Sequence, residues 1–362
     1  MLDIEKLKEL QFKVMKDVAA AAVVPLMRIG DQLGIFEKLA GAGEVSSGEF
    51  SKLAEVDERY LREWLYALSA AGFVSYNKSN KKFSLSPEQA AVFANEEGPA
   101  NMMGAYNVLT GAVHNEEDVK KAFKTGEGVP YEDACPICFQ GTARFFKPSY
   151  QANLIKKWLP LVTGFEEKLK NGGSFADIGC GHGLSTLMVA QAFPDASISG
   201  FDIHGPSIDE AKKLAKSAGK LDKIKYGVAD AKSYEGKFDY IAFFDCLHDM
   251  GDPVGAAKYA YEHLNNDGSV ILIEPTANDK PEENFNIFGQ MYYSFSTMGC
   301  IPTSKSQEVG LSLGAQAGPA KLTAVLQEAG FQECKIVKKK CIKYGLRGEK
   351  IKAYSLSCIC LP

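Results

Sequence analysis

Residues 175–183 read Phe-Ala-Asp-Ile-Gly-Cys-Gly-His-Gly, and nineteen residues after the last glycine Asp202 closes the triplet Gly-Phe-Asp. An apolar strand here runs straight into a turn carrying Gly179, Gly181 and Gly183. Glycines at alternate positions let the backbone fold back tightly and come close to a ligand, an approach that side chains would block. The acid downstream falls where a second strand would end, placed to accept hydrogen bonds from ribose hydroxyls. These residues predict a bound nucleoside-type cofactor, and its identity becomes the deciding question.

Outward from this loop, strands and helices alternate. Strands are expected at Ser174–Ile178, Ser197–Asp202, Ile224–Val228, Phe238–Phe244 and Ser269–Glu274. Helices between them include Leu184–Phe193, Ser207–Ala218 and Asp252–Leu264. Such a βαβ series implies a parallel, doubly wound α/β sheet. After an insertion between Pro275 and Lys321 come a helix near Lys321–Ala329 and two strands, Phe331–Lys338 and Lys352–Cys360. Their short connector favours an antiparallel pair.

The first 40 residues read as helical, with more apolar surface than a lone exposed helix carries. A capped short helix from Ser46 and a second from Asp57 to Ala71 follow. Phe73–Tyr76 and Lys82–Leu85 then read as a β-hairpin, which completes a winged-helix pattern. On the second helix Asp57, Glu58, Arg59, Arg62 and Glu63 cancel in charge, and Tyr60, Leu61, Trp64 and Leu65 make an apolar face. A DNA-reading helix needs basic and polar side chains, so dimerisation and a substrate lid are the expected roles. The domains expected are a helical winged-helix dimerisation domain over 1–95, a helical connector contributing to the substrate pocket over 96–170, and the cofactor domain over 171–362.

With 362 residues, a net charge of −4 and a pI of about 5.9, the chain has no general attraction for nucleic acid. The charged N-terminus lacks a signal-peptide core, and the apolar stretch Val18–Met27 is too short for a span needing roughly 20 residues. Nine cysteines, an odd number, suit free thiols in a reducing compartment, hence a cytoplasmic protein. Cys135-Pro-Ile-Cys138 has a redox or metal spacing but no second such pair, so plain thiols in a loop are expected.

The loop itself narrows the cofactor. A dinucleotide fingerprint needs its third glycine at position 184, which is Leu184, and no phosphate-cradling GxxxxGK[ST] occurs. Instead Asp177 stands two residues before Gly179, where it would repel a pyrophosphate and suit an ammonium group. Asp230, after the third strand, suits an exocyclic adenine amine. For Asp202 and Asp230 the plain alternative is strand-end capping.

At these residues the chain resembles the class I S-adenosylmethionine-dependent methyltransferases. The resemblance implies a Rossmann-like seven-stranded sheet whose last strand is antiparallel. It assigns the methionine part to Gly179, Gly181 and Gly183 with Asp177, and the ribose hydroxyls to Asp202. It gives the adenine to Asp230, and Ile203, Ala231 and Asp245 complete the expected cofactor site.

Residues 245–253 read Asp-Cys-Leu-His-Asp-Met-Gly-Asp-Pro. They lack the (N/D/S)PP(Y/F/W) motif of nucleobase-amine methyltransferases. They resemble the HDW segment of small-molecule O-methyltransferases that carry an N-terminal winged-helix dimerisation domain. That resemblance implies His248 as general base, Glu274 as the carboxylate orienting it, a homodimer, and S-adenosylhomocysteine as product. An imidazole can take a hydroxyl proton at neutral pH, and a carboxylate on its other nitrogen fixes the tautomer. The chain departs from the pattern in two places: Met250 replaces the tryptophan, and no acid lies between Val309 and Val325, around Pro319, where a second carboxylate is expected. His182, inside the glycine loop, is expected to pack or touch cofactor.

An aromatic and methionine-rich insertion containing Met291, Tyr292 and Phe295, with Met103 and Tyr106 from the N-terminal side, is expected to cover an apolar or aromatic hydroxylated acceptor; simple core packing is the alternative. No clustered carboxylates suggest a metal site. Two other functions stay open: a winged-helix transcriptional regulator that senses S-adenosylmethionine, and C- or N-methylation on the same scaffold.

Overall fold

A computed structural model describes residues 1–341 and 353–361, with side chains through residue 336. The chain divides into two compact units, Met1–Thr110 with Arg144–Pro148, and Gly111–Ala143 with Ser149–Pro362. The stretch expected as a connector is thus shared between both.

The first unit is helical with a small wing. Helix α1 (Ile4–Gln32) starts at Asp3, whose side chain accepts from the Glu5 and Lys6 N–H groups, and α2 (Ile35–Ala42) follows Gly34 at φ 63°. Helix α3 (Ser47–Ala54) opens with a capping box between Ser46 and Glu49, and α4 (Glu58–Ala70) with Asp57 as cap. These short polar caps satisfy N–H groups that the first helical turn leaves unpaired. Strands β1 (Ser75–Asn77) and β2 (Lys82–Ser84) pair antiparallel, and Val45 bridges to Phe83. Phe36, Phe50, Leu65 and Leu68 fill the core, and Trp64 Nε1 donates to the Leu26 carbonyl at 2.8 Å. Most of α1 stays uncovered: Leu10, Phe12, Met15 and Val18 are each more than half exposed.

The second unit carries the sheet. Its strands are β3 (Ser174–Ile178), β4 (Ser197–Asp202), β5 (Ile224–Val228), β6 (Phe238–Phe244), β7 (Leu264–Glu274), β8 (Glu333–Cys341) and β9 (Ala353–Leu361). Lys352, placed in the last expected strand, lies outside the described residues. The order is β5-β4-β3-β6-β7-β9-β8, parallel except that β9 runs antiparallel to β7 and β8. Every residue of β6 is buried, as the apolar run Tyr240–Phe244 requires of a central parallel strand, and Asp239 near its start accepts from the N–H and hydroxyl of Ser174. Helices Leu184–Ala192, Gly205–Ser217, Pro253–Glu262 and Gly318–Glu328 connect or cover the strands. Strand β7 starts five residues before the expected Ser269, because Leu264 pairs with Phe238 and the register then slips so that Ser269 pairs with Tyr240. The intervening Asn-Asn-Asp-Gly bulges, with Asp267 at φ 63°.

Cys135 and Cys138 sit at a helix start rather than in a loop. Cys135 is the N-cap of helix Pro136–Asn153, whose proline occupies the first turn, where it costs no hydrogen bond. Both thiols are unpaired, and burial together with Cys135 pushes the Cys138 thiol up to about 11. That is the reverse of a reactive thiolate.

Candidate active site

The sheet places its ligand-facing ends where β3, β4, β5, β6 and β7 finish. At the end of β3, Gly179, Gly181 and Gly183 take φ values of 70°, 52° and 71°. A Cβ on Gly179 would lie 2.8 Å from Cys246 Sγ, and one on Gly183 would lie 2.7 Å from Ala211 Cβ. At Gly181 it would meet no atom within 4 Å, so this glycine faces open space. The Gly179 and Cys180 N–H groups both donate to the Phe201 carbonyl, which ties the loop to β4.

Asp177 is fully buried beneath the loop. Its Oδ2 accepts from the hydroxyls of Ser185 and Thr186 at 2.6 and 2.7 Å, while Oδ1 has no hydrogen-bond partner. Burial lifts its pKa to about 6, against the lowering effect of the two hydroxyls. Asp202 Oδ2 accepts from the Gly181 N–H and Oδ1 from the His204 N–H, each at 2.8 Å. Burial raises this carboxyl too. Asp230 accepts from the Lys232 N–H at 2.8 Å, and its own N–H donates to Ser233 Oγ. Both strand-end acids therefore cap backbone, and each carboxylate oxygen keeps a further lone pair for a ligand. Ile203 is exposed beside Asp202, whereas Ala231 packs against the core.

His204 carries a feature that sequence reading passed over. Its ring lies 4.3 Å from that of Phe139 and 5.7 Å from that of Tyr131, centroid to centroid. Burial, then the charges of Asp202 and Asp249, drive the Tyr131 hydroxyl well above its usual range. Tyr131 thus feels both the strand-end acid of β4 and the cluster that follows β6.

That cluster is built on a tight turn. Asp245 adopts φ 59° and donates its N–H to the Ile273 carbonyl at 2.7 Å, which turns the chain so that His248 faces the end of β7. Glu274 Oε2 meets His248 Nδ1 in a short hydrogen bond, and Oε1 accepts from the Leu247 N–H at 2.9 Å. Asp249 Oδ1 lies 3.1 Å from His248 Nε2, and against burial the charge of His248, with the ring and the Cys300 thiol as partners, holds this carboxyl below its usual range. The imidazole therefore sits between two carboxylates. Burial alone would depress its pKa, but Asp249 and Glu274 outweigh that and hold it well above 6.5. Burial drives Asp245 the other way for an acid, well above its usual range, and Glu274 adds to the shift.

Two groups of side chains among the described residues bring three ligating atoms within 4.8 Å: His248, Asp249 and Cys300, and Asp245, His248 and Glu274. The fold thus gathers carboxylates that lie up to 29 positions apart in the chain, Asp245 to Glu274. The helix at Gly318–Glu328 opens with a buried Gly318-Pro319 and carries no acid in its first turn, so the second carboxylate beside the ring is that of Asp249.

Of the expected acceptor pocket, Met291, Tyr292 and Phe295 are half-buried around helix Ile287–Phe295, and Tyr292 feels the charges of Asp245 and His248. Tyr150, nearly buried, feels Asp245, Asp177 and Glu274. Met103 is fully buried in the core of the first unit, with Tyr106 packed against it. His182 is half-buried on the loop, where burial lowers its pKa.

Comparison with known proteins fits this architecture. A methyltransferase-domain family model matches residues 150–332, slightly more than half of the chain, and an Rv2258c-like winged HTH domain model matches residues 20–95. The ribosomal RNA small subunit methyltransferase C of Haemophilus influenzae (strain ATCC 51907 / DSM 11121 / KW20 / Rd) is 30% identical over 134 residues, 35% of this chain and 40% of that protein. The chain thus spans well under half the length of that curated relative. Human N-acetylserotonin methyltransferase, solved in complex with SAM, superposes with a TM-score of 0.69 at 14% identity, covering 97% of both chains. Mitomycin 7-O-methyltransferase gives 0.67 at 15% identity, covering 99% of this chain and all of the other. At such identities the likeness is one of fold.

Proposed function

Because the chain belongs to the methyltransferase-domain family, which uses S-adenosylmethionine, we propose that it methylates a hydroxyl of a small, apolar or aromatic acceptor, with His248 as general base. The observation that carries this reading is the Glu274–His248 hydrogen bond at Nδ1, which leaves Nε2 as the only ring nitrogen able to take a proton. The donor supplies a methyl group on a sulfonium, which an oxygen nucleophile displaces in line, so orientation provides much of the acceleration.

The residues present fit that donor. Gly181 opens onto free space, Asp177 Oδ1 is a buried acceptor without a partner, and Asp202 stands at the end of β4 with lone pairs to spare. On this reading Gly179, Gly181, Gly183 and Asp177 hold the methionine part. Asp202 and Ile203 hold the ribose, Asp230 and Ala231 the adenine, and Asp245 lines the sulfonium end. Tyr292, with Met291 and Phe295 beside it, supports an apolar acceptor wall next to His248, whereas Met103 and Tyr106 belong to the core of the first unit. The curated relative acts on ribosomal RNA, but residues 245–253 lack the motif for a nucleobase amine.

The uncovered apolar side of α1 supports a homodimer formed through the first unit, and the unpaired cysteines support a reducing, cytoplasmic setting. A second reading, a regulator that senses the same cofactor, draws on the winged HTH match. Against it, the cations of α4 are neutralised within the helix: Arg59 pairs with Glu63 at 2.5 Å and Arg62 with Glu58 at 3.6 Å.

Incubation with labelled S-adenosylmethionine and metabolite extracts, followed by mass spectrometry and NMR of the labelled product, tests the proposal. An O-methyl product is expected, and His248→Ala should keep donor binding while losing about 10²–10⁴ in rate. A methylated carbon or nitrogen, or undiminished turnover without His248, would overturn it. Label in no fraction, together with sequence-specific duplex binding, would favour the regulator.

A further inference from the structure

We propose that His248, Asp249 and Cys300 form a site for a thiophilic divalent cation, of which Zn²⁺ is the natural candidate. One histidine nitrogen, one carboxylate oxygen and one sulfur lie within 4.8 Å of one another. Because Glu274 holds Nδ1, Nε2 is the nitrogen on offer, and the Asp249 oxygen stands 3.1 Å from it. In a tetrahedral zinc site, bond lengths of about 2.0–2.3 Å put neighbouring ligand atoms roughly 3.3–3.6 Å apart, a spacing that the His248–Asp249 pair already approaches and that Cys300 reaches from within 4.8 Å.

Three further observations support a cation here. Asp249 Oδ1 is shielded from solvent, and its carboxylate already faces the other two ligands, His248 Nε2 and the Cys300 thiol. The carboxylate of Glu274 on the far ring nitrogen reproduces the carboxylate–histidine–metal arrangement that fixes a ligating imidazole and raises its basicity. The Asp249 side chain is 34% exposed, so the cluster borders solvent, which can supply a fourth ligand. A nitrogen, oxygen and sulfur set with one open position suits Zn²⁺ and not the all-oxygen preference of Mg²⁺ or Ca²⁺. Coordination displaces the Cys300 thiol proton to solvent, since the thiolate is the ligand.

The consequence for catalysis rests on the reading of His248 as base. One lone pair on Nε2 cannot both bind a cation and accept the acceptor's proton, so an occupied site is a halted site. The metal would act as an inhibitor that enters through the acceptor side and leaves donor binding intact.

Titration of the metal-free full-length chain with Co²⁺ tests the site without any acceptor. One equivalent should bring up a thiolate-to-cobalt charge-transfer band, and Zn²⁺ should abolish it by displacement. In Cys300→Ser the band should vanish and affinity fall roughly 100-fold, judged from the 10–100-fold that losing even an outer partner costs. Cys135→Ser and Cys138→Ser should behave as the unaltered chain. No charge-transfer band, or one that survives in Cys300→Ser, overturns the site whether or not His248 is the base. Once an acceptor is in hand, Zn²⁺ should arrest turnover in the unaltered chain and spare Cys300→Ser. Tight binding without arrest would overturn the exclusion of base and metal.

Discussion

Exchanging Glu274 for glutamine keeps the shape of the side chain and removes one charge from the imidazole. Glu274 serves two donors at once, the Leu247 N–H at Oε1 and His248 at Oε2. In Glu274→Gln the amide offers one acceptor and one donor for those two places. Turning its NH₂ toward Leu247 would set donor against donor in a buried site, at about 1–3 kcal/mol. At 1.4 kcal/mol per factor of ten, that biases the amide roughly 5- to 140-fold toward the other orientation. Its carbonyl therefore stays on Leu247 and its NH₂ faces Nδ1. Nδ1 must then accept, the ring proton moves to Nε2, and the lone pair that should take the substrate proton is gone. Turnover should fall by about 10²–10⁴, the whole general-base contribution. An amide in place of the orienting carboxylate of a Ser-His-Asp triad costs about 10⁴ in the same way. Donor affinity by calorimetry should not change.

The tautomer can be read directly. Nitrogen NMR of the five histidine rings in metal-free protein, assigned with His248→Ala, should show a neutral Nε2–H ring in Glu274→Gln. The unaltered chain should show an imidazolium that loses its proton only well above pH 6.5. The sign follows from that raised value. Pairing of the imidazolium with Asp249 and Glu274 stabilises the fold fully below the unfolded pKa of 6.5 and is lost as pH rises through the folded pKa. Turnover moves the opposite way, rising over the same interval as the base is freed. A Glu274→Gln protein that keeps an Nδ1–H ring and full turnover refutes the reasoning.

Other groups give independent checks. Asp202→Ala removes the acceptor of the Gly181 N–H together with the proposed ribose contact, and donor affinity by calorimetry should weaken about 10- to 100-fold, the equivalent of 1.4–2.8 kcal/mol; unchanged affinity would remove Asp202 from the site. Asp177, raised by burial from 3.8 to about 6, is an acid that opposes folding when charged. Urea unfolding should show its share of stability growing by about 3 kcal/mol as pH falls from above 6 to below 4, and Asp177→Asn should flatten that slope. Leu10→Glu with Phe12→Glu, on the uncovered side of α1, should turn a dimer into a monomer by light scattering without lowering the melting temperature; a monomeric unaltered chain would end the dimer reading.

The sheet was legible because its strands are short, mostly apolar segments and the first of them runs into a turn of glycines. Ser174–Ile178 and Phe238–Phe244 can be buried on both faces and little else, and Gly179–Gly183 can be only a tight turn. The helix caps were legible for the same local reason, since Ser46, Asp57 and their partners lie within four residues. Bulges were not. Asn265–Gly268 has the composition of a loop, yet β7 runs through it because Leu264 is already needed opposite Phe238. In the candidate site, His248 and Glu274 could be named through motif and strand end. Asp249 stood next to His248 in plain view but needed the fold to show which ring nitrogen it faces. Cys300 carries no local signal at all. It reaches the site through helix Ile287–Phe295 and the widened turn after it, a tertiary fact with no periodicity to announce it. The same holds for Phe139 and Tyr131 against His204.

The glycine loop, finally, is tied in place by contacts within the protein, the Phe201 carbonyl on one side and the Asp202 carboxylate on the other. Every group proposed to hold the donor, Asp245 apart, touches adenine, ribose or the amino-acid end, all of which survive the reaction unchanged. Only the sulfur differs between what enters and what leaves. A pre-set cradle of this kind grips the spent molecule about as firmly as the fresh one, which is binding spread evenly over both states. The flux through this chain should then follow the ratio of the two molecules around it, and a neighbouring activity that clears the spent one would govern its pace as much as the supply of acceptor.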